Sequence, residues 1–193
     1  MSILHASRPA VLAALGLGAL STFGDWLWTH YLEDGAWLPG VVHGVVIFAA
    51  LAAVLASHAG TRRAFKVLMP SLPLAGLAIA AAFYPIAKLV GYLPALLIAW
   101  VAMWIALAVL QRLARGRVEP LGRALQRAVL AAVGSGAAFA AVSSMWTAPD
   151  PAGPNLPLHF LYWSFAFLPG FLALMIGQAP PSPSAAPEDR AAV

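Results

Sequence analysis

Apolar residues fill this chain in long unbroken stretches, and polar residues gather in the short gaps between them. Six apolar runs emerge, over 9–31, 36–57, 67–90, 92–111, 124–146 and 157–178. Each reaches the roughly 20 residues a helix needs to cross the hydrocarbon core of a bilayer. The pattern predicts an all-α membrane protein, a bundle of six transmembrane helices occupying residues 1–178. The first run begins as a signal peptide would, with a weakly basic start and the apolar stretch Val11 to Leu20. It continues through Phe23, Trp26, Leu27 and Trp28, which makes it long enough to span, so it is read as the first helix. Residues 179–193 contain Pro180, Pro181, Pro183 and Pro187 among Ser and Ala. Such a segment cannot build a core and is predicted to be a disordered cytoplasmic tail.

Punctuation within the runs adds detail. Leu38-Pro39, Leu93-Pro94 and Leu156-Pro157 open the second, fourth and sixth runs. Proline in a first turn loses no helical hydrogen bond, so these pairs mark helix starts. Pro70, Pro73 and Pro85 lie in the third run and Pro169 in the middle of the sixth. Interior prolines usually kink a helix, and Pro169-Gly170 is the best candidate for a bend that opens a gap between helices. Lipid solvates leucine as well as another helix does, so helix association in a bilayer relies on small residues. Gly40 and Gly44 in the second run, Gly76 to Ala82 in the third and Ala131 to Ala138 in the fifth predict that these three helices are the interior. Trp100 and Trp104 share one face of the fourth helix near mid-membrane, where they fill the bundle, face lipid or line a cavity.

Composition agrees with the pattern. The chain is 62% hydrophobic and 9% charged, with a mean hydropathy of +0.83, against about 25% charged in soluble domains. This excludes a soluble enzyme, a nucleic-acid binder and a disordered protein. There is no cysteine, hence no disulfide, thiolate metal site or cysteine nucleophile.

The net charge of +4 reports orientation. Arg8, Arg62, Arg63, Lys66, Arg112, Arg115, Arg117, Arg123, Arg127 and Arg190 fall on one side of the predicted bundle, ten of the eleven basic residues, and Lys88 alone on the other. This asymmetry predicts cytoplasmic termini. Glu33, Asp34 and Asp150 occupy loops on the opposite side, with Trp26, Trp28, Trp37, Tyr92, Trp146 and Trp163 as its aromatic belt.

Ionisable residues inside a membrane are functional suspects. The candidates are Asp25, His30, His43, Lys88 and His159, with His30 and His159 expected in the headgroup zone and His58 at the cytoplasmic interface. Three readings stand: a structural pair of Asp25 with Lys88 or with His43, a polar lining for a lipid headgroup with donors from Tyr84 and Thr29, and a His/Asp metal or acid-base site. The histidines show no HxxxH or HExxH spacing, and no Walker A loop, GxSxG elbow or dinucleotide fingerprint is present. No metal or cofactor is expected.

Three stretches resemble the insulin-induced gene (Insig) family. Ala36-Trp37-Leu38-Pro39 looks like its Trp-x-Pro helix start, Ala87-Lys88-Leu89 like its Ala-Lys segment, and Phe160-Leu161-Tyr162 with Leu168-Pro169 like its Phe-Leu-Tyr and Leu-Pro elements. The chain departs from that pattern in having Val90 where the family has an acidic residue, and in lacking the family's cysteines. The resemblance implies a non-enzymatic bundle, self-association being an open alternative, that binds a sterol-like or diacylglycerol-like lipid among its central helices. Asp25, His43, Tyr84, Lys88, Trp100, Trp104 and Pro169 are then the candidate ligand-binding residues. The alternatives are a membrane enzyme acting on a lipid or isoprenoid, with Asp25 and His43 as acid-base partners, and a small-solute transporter.

Overall fold

The computed structural model describes residues 3–31, 37–116, 119–143 and 155–176, and of these the side chains of all but 3–6, 28–31 and 143. The side chains of Trp28, Thr29 and His30, together with Glu33, Asp34, Arg117, Trp146, Asp150 and the tail, lie outside the described residues. The described chain forms α1 (Ile3–Tyr31), α2 (Trp37–Ala59), α3 (Arg62–Val90), α4 (Tyr92–Ala114), α5 (Leu121–Ser143) and α6 (Leu156–Met175). All six are long and apolar enough to cross a membrane, as in a multi-pass membrane protein. The shortest, α6, has 20 residues and so a length of about 30 Å.

Helix starts follow local chemistry. Pro39, Pro94 and Pro157 fall in the first turns of α2, α4 and α6, as expected. Helix α3 begins five residues ahead of its apolar run because the Thr61 hydroxyl accepts the Ala64 N–H at 3.1 Å, an N-cap that draws Arg62, Arg63 and Lys66 into the helix. The helices run unbroken past Pro70, Pro73, Pro85 and Pro169. Gly91 alone joins α3 to α4, at φ +90, a conformation that residues with a Cβ rarely adopt.

Each helix packs on its neighbours in the chain, and α1 closes the circuit by packing on α6. The registers are antiparallel. Gly76 lies under the Phe48 ring and Gly44 against Ala80 where α2 meets α3. Ser135 Oγ donates to the Ala166 carbonyl at 2.6 Å and Gly134 faces Pro169 where α5 meets α6. Gly18 of α1 sits against Ser164 of α6. Across the circuit the parallel pair α4 and α6 meets through large side chains: Trp104 is fully buried, with its indole over Gly170 and its ring centroid 5.5 Å from that of Phe171.

The interior is therefore not the one the small residues suggest. Half of the α6 span is buried, against 17% of the α3 span. The glycine and alanine positions of α3 serve a single neighbour, α2, while Ala78, Ala81 and Ala82 stay exposed. The gap expected at Pro169-Gly170 is filled by the Trp104 ring, because Gly170 leaves the volume that an indole needs.

One end of the bundle is locked by ions. Arg127, 8% exposed, donates from Nε to Glu119 Oε1 at 2.9 Å and from Nη2 to Glu119 Oε2 at 2.5 Å. Its Nη1 donates to the buried Gln111 Oε1 at 3.5 Å and to the Leu174 carbonyl. A guanidinium thus meets one of the last carbonyls of α6, which have no partner within the helix.

Gly170→Ala is expected to destabilise the bundle by about 1–3 kcal/mol through overpacking. Trp104→Leu should absorb part of that cost, so that the double variant loses less than the sum of the single ones. Denaturant titration in detergent micelles measures both.

Candidate functional site

Because neighbouring helices are antiparallel, the ends of α1, α3 and α5 and the starts of α2, α4 and α6 share one end of the bundle. All the candidate ionisable groups with described side chains except His58 lie in that half. The structure divides them into two places.

The first is the α1/α6 seam. Asp25 Oδ2 accepts the Trp163 indole N–H at 2.7 Å, and His159 Nδ1 stands 3.9 Å from the same oxygen. His159 is fully buried, one turn into α6 on the face that meets α1. The hydroxyls of Ser21, one turn before Asp25, and of Ser164, next to Trp163, are buried and have no hydrogen-bond partner among the described residues. The His43 ring of α2 lies against the Gly24 backbone so closely that a Cβ at residue 24 would overlap Cε1 and Nδ1. His43 thus lies against the residue that precedes Asp25, yet no hydrogen bond or ion pair joins the His43 and Asp25 side chains among the described residues. The pairing of Asp25 with Lys88 does not form either. Lys88 is exposed on α3 and makes no ion pair among the described residues, because α3 packs on α2 and α4, not on α1.

Trp163 continues into an aromatic assembly. Trp163 stacks on Phe167 at 5.7 Å and Phe167 on Trp100 at 5.4 Å; Phe139 closes the set at 5.7 Å from both Trp100 and Trp163. The interplanar angles run from 20° to 36°. These distances are in the favourable range for offset rings, each pair contributing about 0.5–1.5 kcal/mol beyond its buried area. Trp100 and Trp104 therefore fill the bundle, the first of their three readings. Their indole N–H groups are buried and have no partner among the described residues.

The second place is a groove between α3 and α4. It encloses about 200 Å³ and is lined by alanine, isoleucine and phenylalanine only, among them Ala78, Ala82, Phe83, Ile86, Ala99 and Ala102. Phe83 connects it to the polar end of the bundle, its ring meeting those of Tyr84 and Tyr92 edge-on at 5.4 Å each. Lys88 is one turn beyond Tyr84. The groove was hidden from the sequence because its walls are alanines, which read as packing residues. No group of three or more histidine, aspartate or glutamate side chains that could hold a metal occurs among the described residues.

These features define an all-helical, six-span membrane protein with a polar seam and an apolar groove among the described residues. Comparison with models of protein families, with characterised proteins and with solved structures finds no match for the chain.

Trp163→Phe keeps the ring stack and deletes the part-buried bond to Asp25, and is expected to cost about 1–3 kcal/mol, as a charge-assisted hydrogen bond does. Asp25→Asn, which still presents an acceptor, should cost less than Asp25→Leu. Unfolding midpoints of the three variants, ranked side by side, check this order.

Proposed function

We propose that this chain is a non-enzymatic protein of a bacterial cytoplasmic membrane, with cytoplasmic termini, that holds a sterol-like or diacylglycerol-like lipid against the α3/α4 groove. The groove is the observation that carries the reading. At about 200 Å³ it exceeds the 150 Å³ cavity that admits a benzene-sized apolar molecule, so it takes an apolar ring or a stretch of acyl chain while the rest of the lipid stays in the bilayer. Its wholly apolar wall suits hydrocarbon, and the phenol groups of Tyr84 and Tyr92 and the Lys88 ammonium lie toward the end where a hydroxyl or headgroup would stand. A lysine near a helix end reaches the interface by snorkelling. The Insig-like stretches at Trp37-Leu38-Pro39 and Ala87-Lys88-Leu89 support the same reading. Cytoplasmic termini are supported by the basic residues, which gather at the end of the bundle opposite Lys88.

Placing the lipid in this groove, rather than among central helices, follows from the packing described above: Trp104, Phe167 and Phe171 occupy the space between α4 and α6. Asp25 and His43 then serve the α1/α2/α6 packing, and the headgroup falls to Tyr84 and Lys88.

Protein purified in mild detergent should carry stoichiometric lipid in extracts read by mass spectrometry, and added sterol or diacylglycerol should raise its thermal midpoint. Ala99→Phe, which fills the groove from an incompletely buried position, should abolish both effects and leave the midpoint of lipid-free protein unchanged. Wild-type protein that carries no lipid and ignores both additives sinks the reading.

A further inference from the structure

The end of the bundle opposite Lys88 has an uncompensated charge. Arg62, Arg63 and Lys66 enter it from α3, Arg112 from α4, Arg123 and Arg127 from α5, and Arg115 follows α4 directly. Among the described residues it contains one carboxylate, Glu119, and Arg127 occupies both oxygens of that group. Arg112 uses its Nε on the Glu119 carbonyl, at 2.6 Å. Arg115 is left partly buried, and its guanidinium has neither a hydrogen bond nor an ion pair among the described residues. Burial and the nearby Arg127 charge hold that guanidinium below the usual arginine range, with Glu119 acting in the opposite sense.

Arg63 comes to the same turn from another helix. Its Nε donates to the Leu113 carbonyl at 3.4 Å, and its Nη1 lies 3.7 Å from the place a Cβ on Gly116 would take. Arg63 and Arg115 therefore reach the turn at 113–116 from two helices, and neither makes an ion pair among the described residues. Two cations at one turn repel, and an anion held by both removes the repulsion.

We propose that Arg63 and Arg115 form a binding site for the phosphate of an anionic phospholipid headgroup. A guanidinium fork matches phosphate oxygens in a two-bond arrangement that an ammonium does not reproduce. The turn lies just beyond the ends of spanning helices, the depth at which headgroup phosphates stand. A soluble phosphate has the same oxygens, but a lipid is held at that depth by its chains, so the site fills from the bilayer. This site is independent of the α3/α4 groove, which opens toward the other end of the bundle.

The test uses full-length protein in nanodiscs of phosphatidylcholine, with or without phosphatidylglycerol, read by native mass spectrometry and by thermal midpoint. Wild-type protein should retain phosphatidylglycerol over phosphatidylcholine and be stabilised by it. Arg115→Gln breaks no side-chain hydrogen bond or ion pair among the described residues and should weaken retention about tenfold, the worth of one charge-assisted bond. The double variant Arg63→Gln/Arg115→Gln should abolish the preference, Arg115→Lys should fall between Arg115→Gln and wild type, and Arg123→Gln, which removes an exposed cation at the same end, should match wild type. If the double variant fails to fold, Arg115→Gln decides alone. Wild-type retention in Arg115→Gln overturns the proposal. Inorganic phosphate that raises the midpoint in phosphatidylcholine discs as far as phosphatidylglycerol does overturns the lipid assignment.

Discussion

The Trp104 indole, fully buried over a residue that has no side chain, fills the space between α4 and α6 around which the other helices close. In water such a contact would add to a large hydrophobic term. In a bilayer that term is absent between helices, and close van der Waals fit and interhelical hydrogen bonds replace it. The same economy of volume recurs in this fold. Gly76 admits Phe48, Gly24 admits His43 and Gly18 admits Ser164, each glycine meeting a larger side chain on the next helix.

The polar tethers converge on the same helix. Asp25 of α1 is bound by Trp163, Ser135 of α5 by the Ala166 carbonyl, and Arg127 of α5 by the Leu174 carbonyl. Two of these attachments lie near the middle of α6 and one at its end. In low-dielectric surroundings each bond is stronger than in water and each loss leaves a costly orphan, so α6 is fastened to both of its neighbours while α3, with a single glycine-lined neighbour and an open groove, stays at the edge. The two candidate places differ accordingly. The seam ties a carboxylate to an indole across two helices, and the groove is lined by apolar side chains that leave space unfilled.

Much of this was legible in the sequence. The six spans follow from the apolar runs, and the Leu-Pro pairs located three of the helix starts, because both depend on local chemistry. The start of α3 needed the Thr61 cap, which a count of apolar residues ignores. The gathering of basic residues was visible, but not that Arg127 leaves the surface to pair with Glu119 and Leu174, since helical position alone does not reveal a buried guanidinium. Lys88 and Asp25 looked like partners because both are rare charges at one end. Which helices touch is set by tertiary packing, and α3 does not reach α1. The Trp100/Trp104 face was identifiable, whereas its complement at Gly170 became recognisable only once α4 and α6 were seen to run parallel.

The closure of α1 on α6 has a consequence for biogenesis. The first helix leaves the ribosome long before its main packing partner, and it touches α2 less extensively than α6. Asp25 and Trp163 are 138 residues apart in the chain. At about 5–20 residues per second, synthesis of that interval takes roughly 7–30 s. Throughout it the Asp25 carboxylate waits in or near the membrane without its indole donor, so the bundle is completed by its last helix, and a chain truncated before α6 leaves the translocon with its first helix undocked.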